Sequence, residues 1–199
     1  MAVQADHVLF LAAGIFGVAP TRALTYDLMT RKDYVALANE LGVSQYARDV
    51  FGVSNQAKAE KLAENLLGSA VSADVKTATT GALKGMLDAN GGNVGAAGLE
   101  GILFLSRTSD ANYTPAWTQL QNRVAVAQAY VDSANPATTF PLTSVTQDTA
   151  SRDAVIANIK SIANTAPLTV GTDTLVANKF SAGLDYTPGG NDRVNTLQD

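Results

Sequence analysis

The stretch "YTPAWTQLQNRVAVAQAYVD" (113–132) decides the fold class. Thr114 stands where an N-cap belongs, and Pro115 where a first helical turn accepts a residue lacking an amide hydrogen. Trp117, Leu120, Val124, Ala127 and Val131 then recur at alternating steps of three and four residues. That spacing lines them up as one stripe on an α-helix, and the stripe needs a partner surface.

The same grammar repeats upstream. Val8, Leu11, Ala12 and Ile15 share one helical face within the apolar run "VLFLAAGIFGVA" (8–19). The run lacks a preceding Lys or Arg and follows Asp6, so it reads as a buried helix and not as a cleaved signal. At twelve residues it is also too short to span a bilayer. "GVAPTRALTYDLM" breaks at Gly17 and restarts at Pro20. "DYVALANELG" offers Asp33 as N-cap and Gly42 as C-cap. "SNQAKAEKLAENLLG" offers Asn55 and Gly68, and "SADVKTATTGALKGMLDANGG" starts at Ser72. "VGAAGLEGILFLSR" is rich in small residues that permit close helix approach. "IFGV" (15–18) and "VFGV" (50–53) echo each other, as do "LANELG" and "LAENLLG". Their offsets disagree, so shared helix-end chemistry explains them better than equal repeats.

Composition shifts along the chain. All four Glu lie at or before Glu100, while five of six Pro lie after it. Helix-forming content gives way to residues that favour strands and turns. "SANPATTFPLTS" (133–144) reads as an internal linker. "SRDAVIANIKSIAN" (151–164) reads as one more helix that buries Val155, Ile156, Ile159 and Ile162. "LTVGTDTLVANKF" (168–180) reads as a strand–turn–strand or one bent strand. The expected fold is therefore mainly α. A compact domain of short helices covers residues 1–165, subdivided if at all near 133–144, and a short extended segment covers 166–199.

The 199 residues suffice for a sizeable core, and the net charge is −4. Neither half is basic: residues 1–100 hold 8 Lys+Arg against 10 Asp+Glu. Nucleic-acid binding needs a clustered basic surface, so that class is set aside. Cysteine is absent, which removes disulfides, thiolate metal sites and Cys nucleophiles. His7 is the only histidine, beside Asp6 near a terminus, and it reads as a surface or cap residue more readily than as half of an acid/base pair. No nucleotide-binding, serine-hydrolase or zinc-protease motif occurs, and "GGNVGAAG" (91–98) reads as loop plus helix packing. The chain is read as a non-enzyme. An aromatic ring beside a guanidinium suits a sugar ring with an anionic substituent. Arg107, Tyr113, Trp117 and Arg123 are the candidates, with Tyr130 nearby in sequence. In the tail, Asn191 and Asp192 follow Gly189-Gly190 on a turn of the kind that offers oxygens to calcium, and Asp173 lies in "VGTD". One incomplete turn cannot close a calcium site.

Four stretches, taken in order, resemble the N-terminal region of Gram-negative surface-layer proteins and related RTX-type proteins exported by type I secretion. They are "FGVAPTRALTYDLM", "ILFLSRTSDANYTPAWTQLQNRVAVAQAYVD", "LTVGTDTLVANKF" and "YTPGGNDRVNTLQD". The resemblance implies an extracellular anchoring domain that holds a surface lattice of identical copies to the lipopolysaccharide of the outer membrane. Calcium is the one cofactor it implies, chiefly through a β-rich part expected beyond residue 199. The other function class is a helical spacer or self-association domain of a secreted adhesin, with the 117–131 stripe as its contact. A secreted hydrolase would require two close carboxylates in a pocket.

Overall fold

The computed structural model describes residues 3–133 and 138–165, with two backbone segments at 174–176 and 193–195. The fold is mainly helical, as predicted. The helices are α1 (Ala5–Leu11), α2 (Arg22–Met29), α3 (Tyr34–Gly42), α4 (Gln45–Phe51), α5 (Asn55–Leu67), α6 (Ala73–Ala89), α7 (Val94–Arg107), α8 (Thr114–Asp132) and α9 (Thr149–Thr165).

The apolar run 8–19 lies at the centre of the core. Val8, Leu11, Ala13 and Ile15 have no exposed surface, which the all-apolar composition of the run 8–19 demands. From Ala12 to Phe16 the helix widens into a π-turn and ends at Gly17, whose φ is +69°. Glycine is required there because the left-handed backbone and the neighbouring Asn65 side chain both exclude a Cβ. The Asn65 amide donates to the Ile15 carbonyl at 2.6 Å and satisfies an otherwise unpaired helix-end oxygen. Gly52 also ends its helix at a positive φ, +70°, though with an extended ψ of −167°, and the two phenylalanines that precede these glycines, Phe16 and Phe51, meet edge to face at 5.8 Å. The echoed "FGV" segments thus share a helix terminator.

Several caps fall one residue from their predicted places. Thr21, not Pro20, opens α2, and its hydroxyl accepts from Leu24 N. Ser54, not Asn55, caps α5, while Asn55 donates its amide to Asp88 on α6 at 2.8 Å. Thr114 is already helical, and Tyr113 precedes the helix. Asp33, Ser72 and Gly68 act as predicted. Gly42 is instead the last helical residue of α3, where a Cβ would collide with Asn93 and Gly95 of α7. Conversely, a Cβ on Gly95 would fall on the Ala38 carbonyl oxygen. A Cβ on Gly98 would instead meet the Ile15 side chain, so the small residues of α7 bring it to backbone contact with α3 and to close side-chain contact with the π-turn.

Residues 138–145 are sewn onto the N-terminal helices. Strand β1 (Val18–Ala19) pairs antiparallel with β2 (Phe140–Pro141), in the register Val18↔Pro141 and Ala19↔Phe140. Leu142 and Val145 are fully buried in the same core. Arg22 on α2 donates to Val131 O at 2.7 Å and Ser133 O at 2.9 Å, placing a cation on the carbonyl end of α8. Helix α9 packs on α8 through Ile159, with Val155 and Ile156 partly buried against the core. Ile162, expected inside, is 59% exposed. Strands β3 (Thr174–Val176) and β4 (Arg193–Asn195) pair in parallel. The predicted extended stretch thus pairs with the tail itself.

Candidate functional site

Helices α6 and α7 do not close fully over their outer halves. They leave a cleft of about 640 Å³, within the range of small-ligand sites. Glu100, Phe104 and Arg107 lie on one face of α7, at spacings of four and three residues, and line one wall. Thr79, Ala82 and Met86 of α6 form the other wall, and Tyr113, just ahead of α8, closes an end. Phe104 and Tyr113 stand edge to face at 4.9 Å and 89°. Phe104 is nevertheless 47% exposed, so a broad aromatic face stays open to solvent.

The polar groups of the cleft have a defined sense. Thr79 Oγ1 donates its single proton to Val75 O at 2.8 Å. At the 3.1 Å contact between Thr79 Oγ1 and Tyr113 Oη, the tyrosine must therefore be the donor. This fixes the ring and leaves the Tyr113 oxygen free to accept. Arg107 and Glu100 make no hydrogen bond or ion pair with the described residues, and both are exposed. The cleft thus offers a rigid aromatic pair, one cation, one carboxylate and hydroxyl oxygens. A sugar ring uses these same elements: its C–H face stacks on an aromatic, and its hydroxyls bond charged groups.

The four sequence candidates separate. Arg107 and Tyr113 meet in the cleft. Trp117 points elsewhere, stacking on Phe10 of α1 at 5.6 Å and 9°. Arg123 is 4% exposed. Its guanidinium donates to the Asn65 carbonyl, and to Val145 O at 3.3 Å. Burial pushes it down from its ordinary pKa, and the Glu64 charge partly offsets this. Arg123 is therefore a core arginine that ties α5 and the 142–145 segment to α8, and it has no reach to a surface ligand. Tyr130 donates to Thr138 O at 2.7 Å and packs on Phe140. Asp173, Asn191 and Asp192 lie outside the described residues. The sequence candidates omitted Phe104, Glu100 and Thr79. The spacing of Glu100, Phe104 and Arg107 was a readable signal for one shared face.

The α8 stripe is largely enclosed. Leu120 and Ala127 have no exposed surface, Val131 is 5% exposed, and Trp117 and Val124 pack partly buried on the same core. Most of the stripe is thus spent on the chain's own core, with Trp117 and Val124 keeping some exposed surface. His7 accepts from the Gln4 amide at 3.2 Å as part of a capping box and stacks on Tyr34 at 4.3 Å, the cap role expected for it. In the groove between α5 and α6, Glu60 accepts from Gln56, and Glu64 pairs with Lys76. Each carboxylate there is committed to a neighbour. No cluster of three potential metal ligands occurs among the described residues. No helix among them is long and apolar enough to cross a membrane.

Comparison with protein-family models, with curated proteins and with solved structures finds no match to this chain.

Proposed function

We propose that the chain is a non-enzymatic cell-surface anchoring module of surface-layer type, and that it holds the carbohydrate of outer-membrane lipopolysaccharide in the α6–α7 cleft. The observation that supports this is the open face Glu100–Phe104–Arg107 set against Tyr113, with both charges unengaged by the described residues. Phe104 offers a stacking surface and Arg107 a charge-assisted donor for phosphate or uronate groups. Any calcium requirement would lie with Asp173, Asn191, Asp192 or residues beyond them, apart from this cleft. The proposed place of action is extracellular, on the outer membrane, among other copies of the same protein.

Binding of labelled protein to smooth cells and to cells lacking O-polysaccharide tests the proposal. Smooth cells should bind, and Arg107→Ala should weaken binding by roughly tenfold or more, since a hydrogen bond to a charged group contributes about 1.5–3 kcal/mol. Equal binding to both cell types, or to neither, would overturn it.

A further inference from the structure

We propose that a second, apolar pocket on the α1–α4 side of the molecule binds a single unbranched hydrocarbon chain carrying an uncharged head. This pocket shares no lining residue with the α6–α7 cleft, so it stands or falls independently of the carbohydrate proposal.

The pocket encloses about 380 Å³ between α1 with its π-turn, α2 and the α3–α4 corner. Val8, Ala12 and Phe16 form its floor and are 0%, 8% and 8% exposed. Leu24, Tyr46 and Thr139 form an exposed rim. No charged side chain lines it. An apolar cavity of about 150 Å³ stays dry and accepts a six-carbon ring. By that scale this pocket admits on the order of ten to fifteen carbons. The π-turn from Ala12 to Phe16 supplies the floor, and such widened turns recur at functional sites. The Tyr46 ring is held against Phe16 at 5.4 Å. The Tyr46 and Thr139 hydroxyls make no hydrogen bond with the described residues, so both can receive a polar head at the rim. A carboxylate head would find no cation there, whereas an alcohol or ester head would find two hydroxyls.

Calorimetric titration with primary alcohols from hexanol to tetradecanol tests the site. Each added methylene should tighten binding roughly fourfold until the pocket is full, and affinity should then level off. Alkanoate ions of equal length should bind more weakly than the alcohols at neutral pH. Leu24→Glu, at an exposed rim position, should leave the circular dichroism spectrum unchanged and weaken alcohol binding at least tenfold. Ala12→Phe should block the pocket, and if that variant misfolds, Thr139→Trp tests occlusion from the rim. Phosphatidylcholine vesicles carrying a monoacylglycerol, which has one chain and an uncharged head, separate the two sources of such a chain. Co-sedimentation lost in Leu24→Glu would identify a bilayer lipid, and alcohol binding without co-sedimentation would identify a free amphiphile. Absence of saturable alcohol binding would overturn the assignment. So would an affinity that rises without levelling off and is indifferent to the variants.

Discussion

A single methyl group should have opposite effects at two glycines. At Gly95 an added Cβ would fall on the Ala38 carbonyl oxygen, with Gly42 N also inside contact at 2.9 Å. All the obstructing atoms are backbone, so no side chain can turn aside. Helices α3 and α7 would have to separate at their crossing, where Leu37, Ala38, Val94 and Ala97 are each at most 1% exposed. Overpacking costs about 1–3 kcal/mol where neighbours can adjust. Partial exposure of one large side chain such as Leu37 adds on the order of 1.5–3 kcal/mol. Alanine returns up to about 1 kcal/mol of helix propensity. Gly95→Ala should therefore lose roughly 1.5–5 kcal/mol net, a large share of the ~5–15 kcal/mol that holds a typical domain.

At Gly85 on α6 the same substitution meets nothing within 4 Å. Only propensity and the unfolded-state entropy act there, so Gly85→Ala should gain about 0.5–1 kcal/mol. Urea unfolding followed by far-UV circular dichroism measures both from the midpoint shift at constant slope. A Gly95→Ala protein within about 1 kcal/mol of wild type would refute the backbone-contact account of the crossing. A Gly85→Ala protein as unstable as Gly95→Ala would refute it as well.

Other outcomes follow from individual contacts. Ser54→Ala should cost about 0.5–2 kcal/mol through loss of the α5 cap, and Asn55→Ala distinctly less, as urea titrations of the two would show. Arg123→Ala should cost 3 kcal/mol or more, since it leaves the buried Asn65 and Val145 carbonyls unpaired and opens a cavity. Arg107→Ala should leave the unfolding midpoint within about 0.5 kcal/mol of wild type. Burial pushes the Tyr34 hydroxyl up from 10.0 to about 12. Its neutral form therefore stabilises the fold fully below pH 10, and that contribution is lost as pH rises towards 12. A tyrosinate absorbance titration should show one late phase that Tyr34→Phe removes. The Asp33 carboxyl is held below its ordinary value, first by the Ala36 amide. It stabilises the fold above pH 3.8, and the contribution is lost as pH falls below that. Asp33→Asn should therefore flatten the acid limb of thermal stability.

Much of the fold was legible because helix grammar is local. Asp33, Ser72, Gly17 and Gly68 act within one turn of themselves, and the central run 8–19 declares its burial by having no polar face. What failed depended on tertiary neighbours. Gly42 looks like a terminator but is a contact residue, because Gly95 lies fifty-three positions away along the chain. Ile162 continues a valid stripe but is left exposed. The linker-like 138–145 is tied down by β1 and by Arg123, partners that no local pattern names. Among site candidates, Arg107 and Arg123 are equally plausible from composition. Helix phase separates them: Arg123 sits beside Leu120 and Ala127 on the inward side of α8, each three or four residues away.

The glycine crossings bear on the cleft as well as on stability. On α7, at 3.6 residues per turn, Gly95 and Gly98 fall on one side of the helix, and Glu100, Phe104 and Arg107 fall on the other. The glycine side fixes the helix to the α3 backbone and to Ile15 of the π-turn. The opposite side is thereby presented in one fixed attitude towards Tyr113. Sites held on rigid elements lose little freedom on binding a ligand, which is where weak polar contacts gain most of their effect. Gly98→Ala, whose added Cβ meets the Cγ1 and Cδ1 atoms of buried Ile15 instead of backbone, should fold with a smaller loss of stability than Gly95→Ala. It should also reposition Phe104 and Arg107 without touching either. If the cleft depends on that attitude, Gly98→Ala should weaken binding to smooth cells while its circular dichroism spectrum stays native. Undiminished binding by this variant would mean that the wall formed by α7 adapts to its ligand and is not preset by its packing.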